Sequence, residues 1–330
     1  METRFLFLVN DVHTVQPSQT TAMLITAAAQ HYPVWITQVD ALSCRNDGTV
    51  WAYAKQVLAK SGETISTVIG ATAQQPWQAI ALKADTPHIL FIRTNPARDL
   101  HNSEAHRTAL SLTRLAEQQG ITVINRPDGL TLAATKLYLL ELPTFTRPPT
   151  LVSQRPDEAI DFIKHLSGPA ILKPLQGTRG KDVFFIASAK DKNLNQIIDV
   201  IVRQGPLMAQ GYIPGAEAGD TRVLVMNGKV LEMEEQPAAI QRVPNQGDFR
   251  SNIHVGAKAA YGTVTEQMRQ VVAAIGPKLL NDGLYFVGLD FINAQLVELN
   301  VFSPGGLRDV ERFTGAAFAE RVIQEVISLI

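Results

Sequence analysis

Three oxygen-bearing side chains near the C-terminus share one face of a predicted β-hairpin. Asp290 lies in one apolar run, and Glu298 and Asn300 lie in the next, after the turn residues 293–295. A three-residue loop at this turn pairs Asp290 with Glu298, and side-chain alternation puts Asn300 on the same face. Two carboxylates this close repel each other unless a cation neutralises them, and oxygen ligands suit Mg²⁺ held together with phosphate. The pattern predicts a divalent-cation site; the alternative is a hairpin with an accidental polar face.

Two lysines and a glycine-containing loop could bind phosphate. Lys173 ends an apolar strand, and in the following loop, 176–182, Gly177 and Gly180 let backbone N–H groups approach an anion closely. The loop lacks the spacing of a Walker motif, so an ordinary surface turn is the alternative. Lys136 lies in an otherwise apolar segment, where a lysine also occurs as a surface residue with a buried stem. Local sequence leaves both interpretations open.

Two further segments combine charge with irregular structure. Asp220 and Arg222 open a predicted strand. Asp220 could accept a hydrogen bond from a nucleotide hydroxyl and Arg222 could bind a phosphate, or both could simply flank a turn at a solvated edge. The polar segment 242–256 is long enough to cover an active site or to be an exposed loop. Within it, Arg242 and Arg250 could each hold a carboxylate through two hydrogen bonds. The arginines therefore indicate carboxylate binding without identifying the substrate.

The composition is that of a folded globular protein. The 330 residues are 45% hydrophobic and 18% charged, which indicates two or three domains. Lysine and arginine number 30 and aspartate and glutamate 31, so no global field attracts nucleic acid or an anionic membrane. The single cysteine, Cys44, excludes an internal disulfide and predicts a reducing compartment, the cytoplasm. No apolar run reaches the roughly 18 residues of a membrane-spanning helix.

Strand-like and helix-like segments alternate up to about residue 128, which predicts βαβ units on a parallel sheet. The predicted strands are 4–9, 34–38, 67–69, 89–92 and 121–124. No G-x-G-x-x-G follows the first of them, so a dinucleotide-binding domain is not indicated. A turn-rich segment at 125–129 marks a boundary, and a helix is predicted over 130–142. Beyond residue 205 the pattern becomes rich in β-strands.

In order along the chain, these segments resemble the ATP-grasp ligases, and most closely the bacterial glutathione synthetase family. The resemblance covers nearly the whole chain. The segments that carry it are 125–127, 136–137, 171–175 with the glycine loop, 208–210, 219–224, 242–244, 286–290, 298–301 and 303–304. It implies an α/β fold, α+β in its C-terminal part, in which an ATP-grasp fold follows an N-terminal parallel-sheet βαβ domain. The implied domains are 1–128, 129–206 with the phosphate loop, and 207–330 with the metal site and a lid loop.

The resemblance also implies a role for each matching residue. Catalytic roles would belong to Lys173, Arg222 and Arg242. ATP would be bound by Lys136, Lys173, Gly177, Gly180, Gln210, Gly211, Tyr212, Ile213, Asp220 and Asn300. Mg²⁺, or Mn²⁺ in its place, would be held by Asp290, Glu298 and Asn300. The acyl and amine substrates would be bound by Arg242, Arg250, Ser251, Asn252, Ser303, Gly305, Gly306 and Arg308.

The implied reaction joins γ-glutamylcysteine to glycine to form glutathione, through an acyl phosphate and with release of ADP and phosphate. The resemblance implies small-molecule substrates and a homo-oligomer, with no nucleic-acid or membrane partner. The chain departs from the usual family pattern at Thr178 and Arg179 in the glycine loop, at Phe302 and Gly305, and at His254 in the lid. Two alternatives follow: a ligase of the same fold that accepts another acyl peptide or amine, and a catalytically silent nucleotide-binding protein.

Overall fold

The computed structural model describes residues 3–83, 88–175, 182–244 and 258–330. Several positions singled out above lie outside these described residues, namely Gly177, Thr178, Arg179, Gly180, Arg250, Ser251, Asn252 and His254. The described part of the chain forms three larger β-sheets with helices packed against them. Their arrangement determines which of the remaining candidate residues meet.

The N-terminal residues form the first sheet. Its elements are β1 (Arg4–Val9), α1 (Thr20–Ala29), β2 (Val34–Cys44), β3 (Val50–Val57), α2 (Ile65–Ala73), β4 (Trp77–Leu82), β5 (His88–Ile92), α3 (Ser103–Gln118) and β6 (Thr122–Ile124). The strand order is β4-β3-β2-β1-β5-β6. Strands β2, β1, β5 and β6 are parallel to their neighbours in this group, whereas β3 pairs antiparallel with β2 and with β4. The predicted parallel sheet is confirmed for those four strands, and an antiparallel edge that the sequence pattern did not indicate extends it.

The predicted strand 67–69 is wrong, because these residues belong to helix α2. The hydroxyl of Thr64 accepts a hydrogen bond from the Thr67 amide and so caps the N-terminus of the helix. Val68 and Ile69 are buried within this helix, which packs against β3. A short β-branched run therefore forms a helix because a capping residue begins one.

The middle of the chain forms a four-stranded antiparallel sheet. Its elements, with the short helix that precedes them, are α4 (Pro127–Leu132), β7 (Thr150–Ser153), α5 (Pro156–His165), β8 (Ala170–Pro174), β9 (Phe184–Ile186), α6 (Leu194–Val202) and β10 (Leu207–Gly211). The strand order is β7-β10-β8-β9. The predicted helix over 130–142 is wrong in its extent. Helix α4 ends at Leu132, and a separate 3₁₀ turn, Lys136–Glu141, begins where Thr135 accepts a hydrogen bond from the Leu137 amide.

The C-terminal residues form the third sheet. Its elements are β11 (Asp220–Met226), β12 (Lys229–Val230), β13 (Glu232–Met233), β14 (Gln236–Pro237), β15 (Ala239–Val243), β16 (Lys258–Tyr261), α7 (Glu266–Asn281), β17 (Phe286–Ile292), β18 (Gln295–Asn300), α8 (Leu307–Thr314) and α9 (Phe318–Ile327). The main strand order is β16-β15-β11-β17-β18, with β12 paired to β11, whereas β13 and β14 form a separate two-stranded sheet. Asp290 lies opposite Glu298, as predicted, although the hairpin loop has two residues rather than three, since Ile292 pairs with Gln295. A β-bulge between Asp290 and Phe291 restores the register.

One buried asparagine joins the first and third sheets. The Asn125 amide nitrogen donates to the carbonyls of Phe286 at 2.9 Å and Val301 at 3.2 Å, and its Oδ1 accepts from the Phe286 amide at 2.8 Å. Phe91 of β5 meets Phe286 of β17 edge-on, and both sheets contribute to shared apolar clusters. Among the helices that the structure describes, none is long and apolar enough to span a membrane. The division into domains after residues 128 and 206 stays a prediction.

Candidate active site

A cleft of about 1000 Å³ opens where the three sheets meet. One side, here called the N-terminal wall, consists of lining residues within 9–21 and 93–102, which follow β1 and β5. The opposite side, the C-terminal wall, consists of lining residues within 220–242 and 292–309, and the floor comes from the middle sheet and Lys136. Within the described residues, every predicted site residue lines this cleft except Asp290, which is buried against two of them.

Four alternating charges, the four-charge network, interlock in the C-terminal wall. Arg222 on β11 lies opposite Asp290 on β17, and its Nε and Nη2 donate to the two carboxylate oxygens at 2.7 and 2.8 Å. Arg242 on β15 lies opposite Asp220 on β11 and donates to its oxygens at 2.6 and 2.8 Å. The Nη2 of Arg242 also lies 2.7 Å from Oδ2 of Asp290, which links the two pairs. Cross-strand register therefore fixes the position of both guanidinium groups.

These neighbours determine the ionisation of the network. Burial raises the pKa of Asp290, but Arg222 and Arg242 outweigh burial and hold that pKa at about 2. Burial lowers the pKa of Arg242, but Asp290 and Asp220 outweigh it, so the pKa is raised. Since the side chains of Arg242 and Asp290 are only 8% and 1% exposed, removal of one partner would leave a buried charge uncompensated. The network thus presents two permanently charged arginines to the cleft.

The predicted cation ligands meet at the β17–β18 hairpin. Glu298 and Asn300 line the cleft, and the Asn300 amide donates to Oδ2 of Asp290 at 3.1 Å. Two arginines hold Asp290, and Glu298 opposes the lowering of the pKa of Lys136 and of Lys173 by burial. The described residues contain no group of three His, Cys, Asp or Glu side chains for a metal, so the Asn300 amide oxygen would be needed as a third ligand. This oxygen-only donor set fits Mg²⁺, and the assignment stays a prediction.

Two lysines lie on the floor of the cleft. Burial lowers the pKa of Lys173 to about 8; Glu298 opposes this shift and Lys136 adds to it. Burial also lowers the pKa of Lys136, whose ammonium group donates to the Leu175 carbonyl at 3.2 Å. An anionic ligand beside these groups would stabilise their charged forms. The site therefore favours a phosphate-bearing ligand, the class that the resemblance implies.

The end of β10 contributes an apolar slot to the floor. The segment 210–213, which the resemblance assigns to ATP binding, lines the cleft here, with apolar side chains from β8 and β18. The Gln210 amide nitrogen donates to Oγ1 of Thr150 at 3.1 Å, and the Tyr212 hydroxyl donates to Glu217 at 2.7 Å. Burial and the contact with Glu217 raise the pKa of Tyr212 to about 12, so its hydroxyl stays neutral near pH 7. A fixed, mostly apolar slot of this kind suits a flat aromatic ring.

The N-terminal wall contains residues that were not among the predicted site. Asn10 and Asn95 follow β1 and β5 and bind each other reciprocally. The Asn95 backbone amide donates to Oδ1 of Asn10 at 2.7 Å, and Nδ2 of Asn10 donates to the Asn95 carbonyl at 3.1 Å. Both residues lie at the carboxyl ends of neighbouring parallel strands, where open α/β sheets bind ligands. Because both strands were predicted, their ends were a usable signal for this wall.

Arg93 connects the N-terminal wall to the segment 303–306. It is 4% exposed; its Nε donates to Oγ1 of Thr21 at 3.3 Å, and its Nη2 donates to the Pro304 carbonyl at 2.9 Å. The same Thr21 oxygen lies 3.2 Å from Oγ of Ser303. Burial lowers the pKa of Arg93. The predicted substrate residue Ser303 is therefore held by α1 and by the end of β5.

Gly305 and Gly306 differ in the space around them. A Cβ added at Gly305 would meet no atom within 4 Å, so this glycine leaves open space beside Phe302 and Arg308. At Gly306, φ is +130° and an added Cβ would approach Cδ1 of Ile240 to 2.8 Å. The backbone at 306 therefore requires glycine. Position 305 leaves additional room at this end of the cleft.

Solved structures of ATP-grasp ligases have a similar fold. A RiPP-associated ATP-grasp ligase of Chryseobacterium gregarium has a TM-score of 0.65 at 14% identity, covering 99% of this chain and 97% of that chain. The ATP-grasp ligase PsnB, complexed with a minimal precursor, has a TM-score of 0.61 at 17% identity, with 100% of both chains covered. At such low identity the likeness shows the fold alone. The predicted ATP-grasp fold is confirmed.

Sequence similarity identifies the family. Residues 3–131 match the model for the N-terminal domain of prokaryotic glutathione synthetase, and residues 135–315 match the model for its ATP-grasp domain. The glutathione synthetase of Thermosynechococcus vestitus is 32% identical over 327 residues, covering 98% of this chain and 99% of that protein. That of a Nostoc species is 32% identical over 332 residues, covering 98% and 97%. The chain belongs to the prokaryotic glutathione synthetase family; it is an ATP-grasp ligase that forms a carbon–nitrogen bond, as predicted.

Proposed function

We propose that this ligase joins γ-glutamylcysteine to glycine, forming glutathione, and converts ATP to ADP and phosphate. The observation that supports the proposal is the convergence, on one cleft, of the described residues to which the family resemblance gives a role. Two lysines lie on the floor, two arginines lie in the C-terminal wall, and Glu298, on β18 of the hairpin, lines the same cleft. Such a concentration of positive charge around a carboxylate suits a polyphosphate bound with a divalent cation.

The proposed reaction proceeds in two steps. The cysteinyl carboxylate of the dipeptide attacks the γ-phosphoryl group of ATP, which gives an acyl phosphate and ADP. The neutral amine of glycine then attacks the acyl carbon, the bond to the phosphate oxygen breaks, phosphate leaves, and the amine loses a proton. Lys136, Lys173 and Arg222 neutralise the phosphoryl oxygens in the first step, and Arg242 holds the acyl substrate. Asp220, assigned to the ribose region, also positions Arg242 through their bidentate pair.

The divalent cation is proposed to be Mg²⁺, with Mn²⁺ as the alternative, held by Asp290, Glu298 and Asn300. It would supply further positive charge at the phosphate oxygens. The glycine loop with Gly177 and Gly180 and the lid residues 250–252 lie outside the described residues, so their proposed contacts rest on the resemblance. A cytoplasmic homo-oligomer completes the proposal, since the single cysteine suits a reducing compartment.

The test is phosphate release from ATP and Mg²⁺ with γ-glutamylcysteine, with and without glycine, and identification of the product by mass. Glycine-dependent release with a tripeptide product is expected. ATP binding without turnover, for every γ-glutamyl dipeptide and amine offered, would instead identify a silent nucleotide-binding protein. The same assay with a series of larger amines separates the proposal from the next candidate.

A second candidate is a ligase with the same chemistry and a different amine acceptor or acyl peptide. The space at Gly305, which lines the cleft together with Phe302, favours it, because a Cβ added there would meet no atom within 4 Å. Release that is independent of glycine and appears with a bulkier amine would establish this candidate. Gly305→Thr should then reduce turnover of the bulkier amine while sparing glycine.

A further inference from the structure

The N-terminal wall holds a carboxylate to which the proposed mechanism gives no role. Asp99 lines the cleft, with its side chain 18% exposed. The Asn102 amide nitrogen donates to Oδ1 of Asp99 at 2.9 Å, and Nε2 of His106 lies 3.0 Å from Oδ2. Because an ionised carboxylate only accepts hydrogen bonds, the imidazole donates from Nε2. His106 is 3% exposed on α3, so a buried side chain orients the carboxylate from behind.

The side chain of Asp99 does not cap the turn that follows it. Asp99 precedes the 3₁₀ turn Leu100–Asn102, where an aspartate often caps the turn, yet its side chain makes no capping hydrogen bond. Both carboxylate oxygens are held by side chains instead, and part of the group stays accessible from the cleft. Arg98 is exposed and lines the same cleft, as does Asn102. An anion, a cation and an amide therefore line the same wall of the cleft.

We propose that Asp99 and Arg98 form a subsite for the α-amino-acid end of the acyl substrate. Asp99 accepts hydrogen bonds from the α-ammonium group, and Arg98 contacts the α-carboxylate. The inference rests on the proposed function, because a γ-glutamyl group supplies such a zwitterionic end at a distance from the reacting carboxylate. Together the two residues would distinguish a γ-glutamyl substrate from other acyl peptides.

The amine acceptor is a poorer match for this carboxylate. A nearby negative charge favours the protonated form of an amine, and an ammonium group cannot attack the acyl carbon. The α-ammonium group of the acyl substrate takes no part in the reaction, so the same interaction only helps to bind it. The chemistry of the reaction therefore assigns the fixed carboxylate to the acyl substrate.

Two analogues separate the two contacts. N-Glutarylcysteine lacks the α-ammonium group and keeps the α-carboxylate, whereas 4-aminobutanoylcysteine lacks the carboxylate and keeps the ammonium group. Each should bind the wild type about 10- to 100-fold more weakly than γ-glutamylcysteine, the effect of one lost charge-assisted hydrogen bond. In Asp99→Asn, the ratio of the affinity for γ-glutamylcysteine to that for N-glutarylcysteine should fall to nearly one. The ratio of the affinity for γ-glutamylcysteine to that for 4-aminobutanoylcysteine should persist. Arg98→Gln should give the reverse result.

Binding is measured by calorimetry, and turnover by amine-dependent phosphate release. Glu104→Gln is the matched control, because Glu104 is exposed on α3, the helix that carries His106, and pairs with Arg107. This variant should retain the preference for γ-glutamylcysteine over both analogues. Because Arg98 is exposed, Arg98→Gln tests the subsite even if Asp99→Asn fails to fold. Retention of the wild-type preferences in both variants would overturn the subsite, as would a change confined to the KM for glycine. Selective binding without turnover would support the subsite and contradict the proposed function, so the two failures are distinguishable.

Discussion

The two walls of the cleft are held by different forces. The four-charge network fixes the C-terminal wall through charge-assisted contacts of 2.6 to 2.8 Å, and three of its four groups, all but Arg222, are buried. In the N-terminal wall, Asn10 and Asn95 bind each other as neutral groups, and the Asp99 carboxylate is held by an amide and an imidazole. Pairs of opposite charges thus maintain one wall, whereas in the other wall Arg93 and Asp99 hydrogen-bond to hydroxyl, carbonyl, amide and imidazole groups.

This difference matches two requirements of a ligase. Phosphoryl transfer needs charged hydrogen-bond donors whose positions are fixed before the reaction, and guanidinium groups locked against carboxylates provide them. Selection of a substrate needs groups that can differ between related enzymes, and a hydrogen bond between neutral groups can be exchanged with a smaller loss of stability than one member of a buried ion pair. We therefore expect reaction-wide effects from the C-terminal wall and substrate-specific effects from the N-terminal wall.

The largest effect is expected from Glu298→Gln. The change removes one negative charge from the candidate cation site at almost constant volume, so turnover should fall about 100-fold or more while the thermal unfolding temperature stays close to that of the wild type. Steady-state phosphate release and thermal melting measure the two quantities. Glu320→Gln, on the exposed face of α9, is the control and should leave both unchanged. Wild-type turnover in Glu298→Gln would contradict the cation assignment.

A second prediction compares the stability of the two walls directly. Asp220→Asn should lower the free energy of unfolding by about 2–4 kcal/mol, because buried Arg242 loses a bidentate partner. Asp99→Asn should lower it by about 1 kcal/mol, since its carboxylate is partly exposed. Denaturant unfolding measures both free energies. The control is Asp161→Asn, which breaks an exposed ion pair with Lys164 and should change the free energy of unfolding by less than about 0.5 kcal/mol. Equal losses of the free energy of unfolding in Asp220→Asn and Asp99→Asn would contradict the difference between the two walls.

The C-terminal hairpin could be predicted from sequence because its pairing is local. A short turn and the alternation of side chains are enough to place Asp290 opposite Glu298, even though the loop length and the bulge differ from the expectation. The arginine partners of Asp290 could not be predicted in this way. They come from β11 and β15, and only the long-range strand order brings them to β17. For this reason the sequence alone indicated a cation beside Asp290 but not the two arginines that pair with it.

The N-terminal wall was harder to predict for a related reason. Asn10, Asn95 and Asp99 lie in short irregular segments, and no local motif distinguishes them from ordinary turn residues. Their common feature is their position after parallel strands that are neighbours in the sheet but distant in the chain. The undetected strands β3 and β4 illustrate the same limit, since an antiparallel edge depends on pairing that the apolar pattern does not encode.

The floor lysines extend the comparison to cations whose charge depends on pH. The four-charge network raises the pKa of Arg242, whereas burial lowers the pKa of Lys173 to about 8. Above pH 8, unliganded Lys173 loses its proton, and bound phosphate favours the charged form, so ATP binding must then take up a proton. Affinity for ATP should therefore fall as the pH rises through this value. From pH 7 to pH 9 the Kd should increase about tenfold, the smallest of the three effects.

The measurement is ATP binding in EDTA, so that no divalent cation alters the charge near Glu298. Lys173→Arg should reduce the increase in Kd to the part that Lys136 contributes, because a guanidinium group stays protonated throughout this range. The control is Lys60→Arg, because Lys60 is exposed and distant in the chain from Lys173. This variant should keep the wild-type pH dependence of the Kd. If the wild-type Kd is constant from pH 7 to pH 9, Lys173 does not contact the phosphates. The fixed charge of the C-terminal wall would then have to bind them without the floor, because arginines alone give a pH-independent affinity.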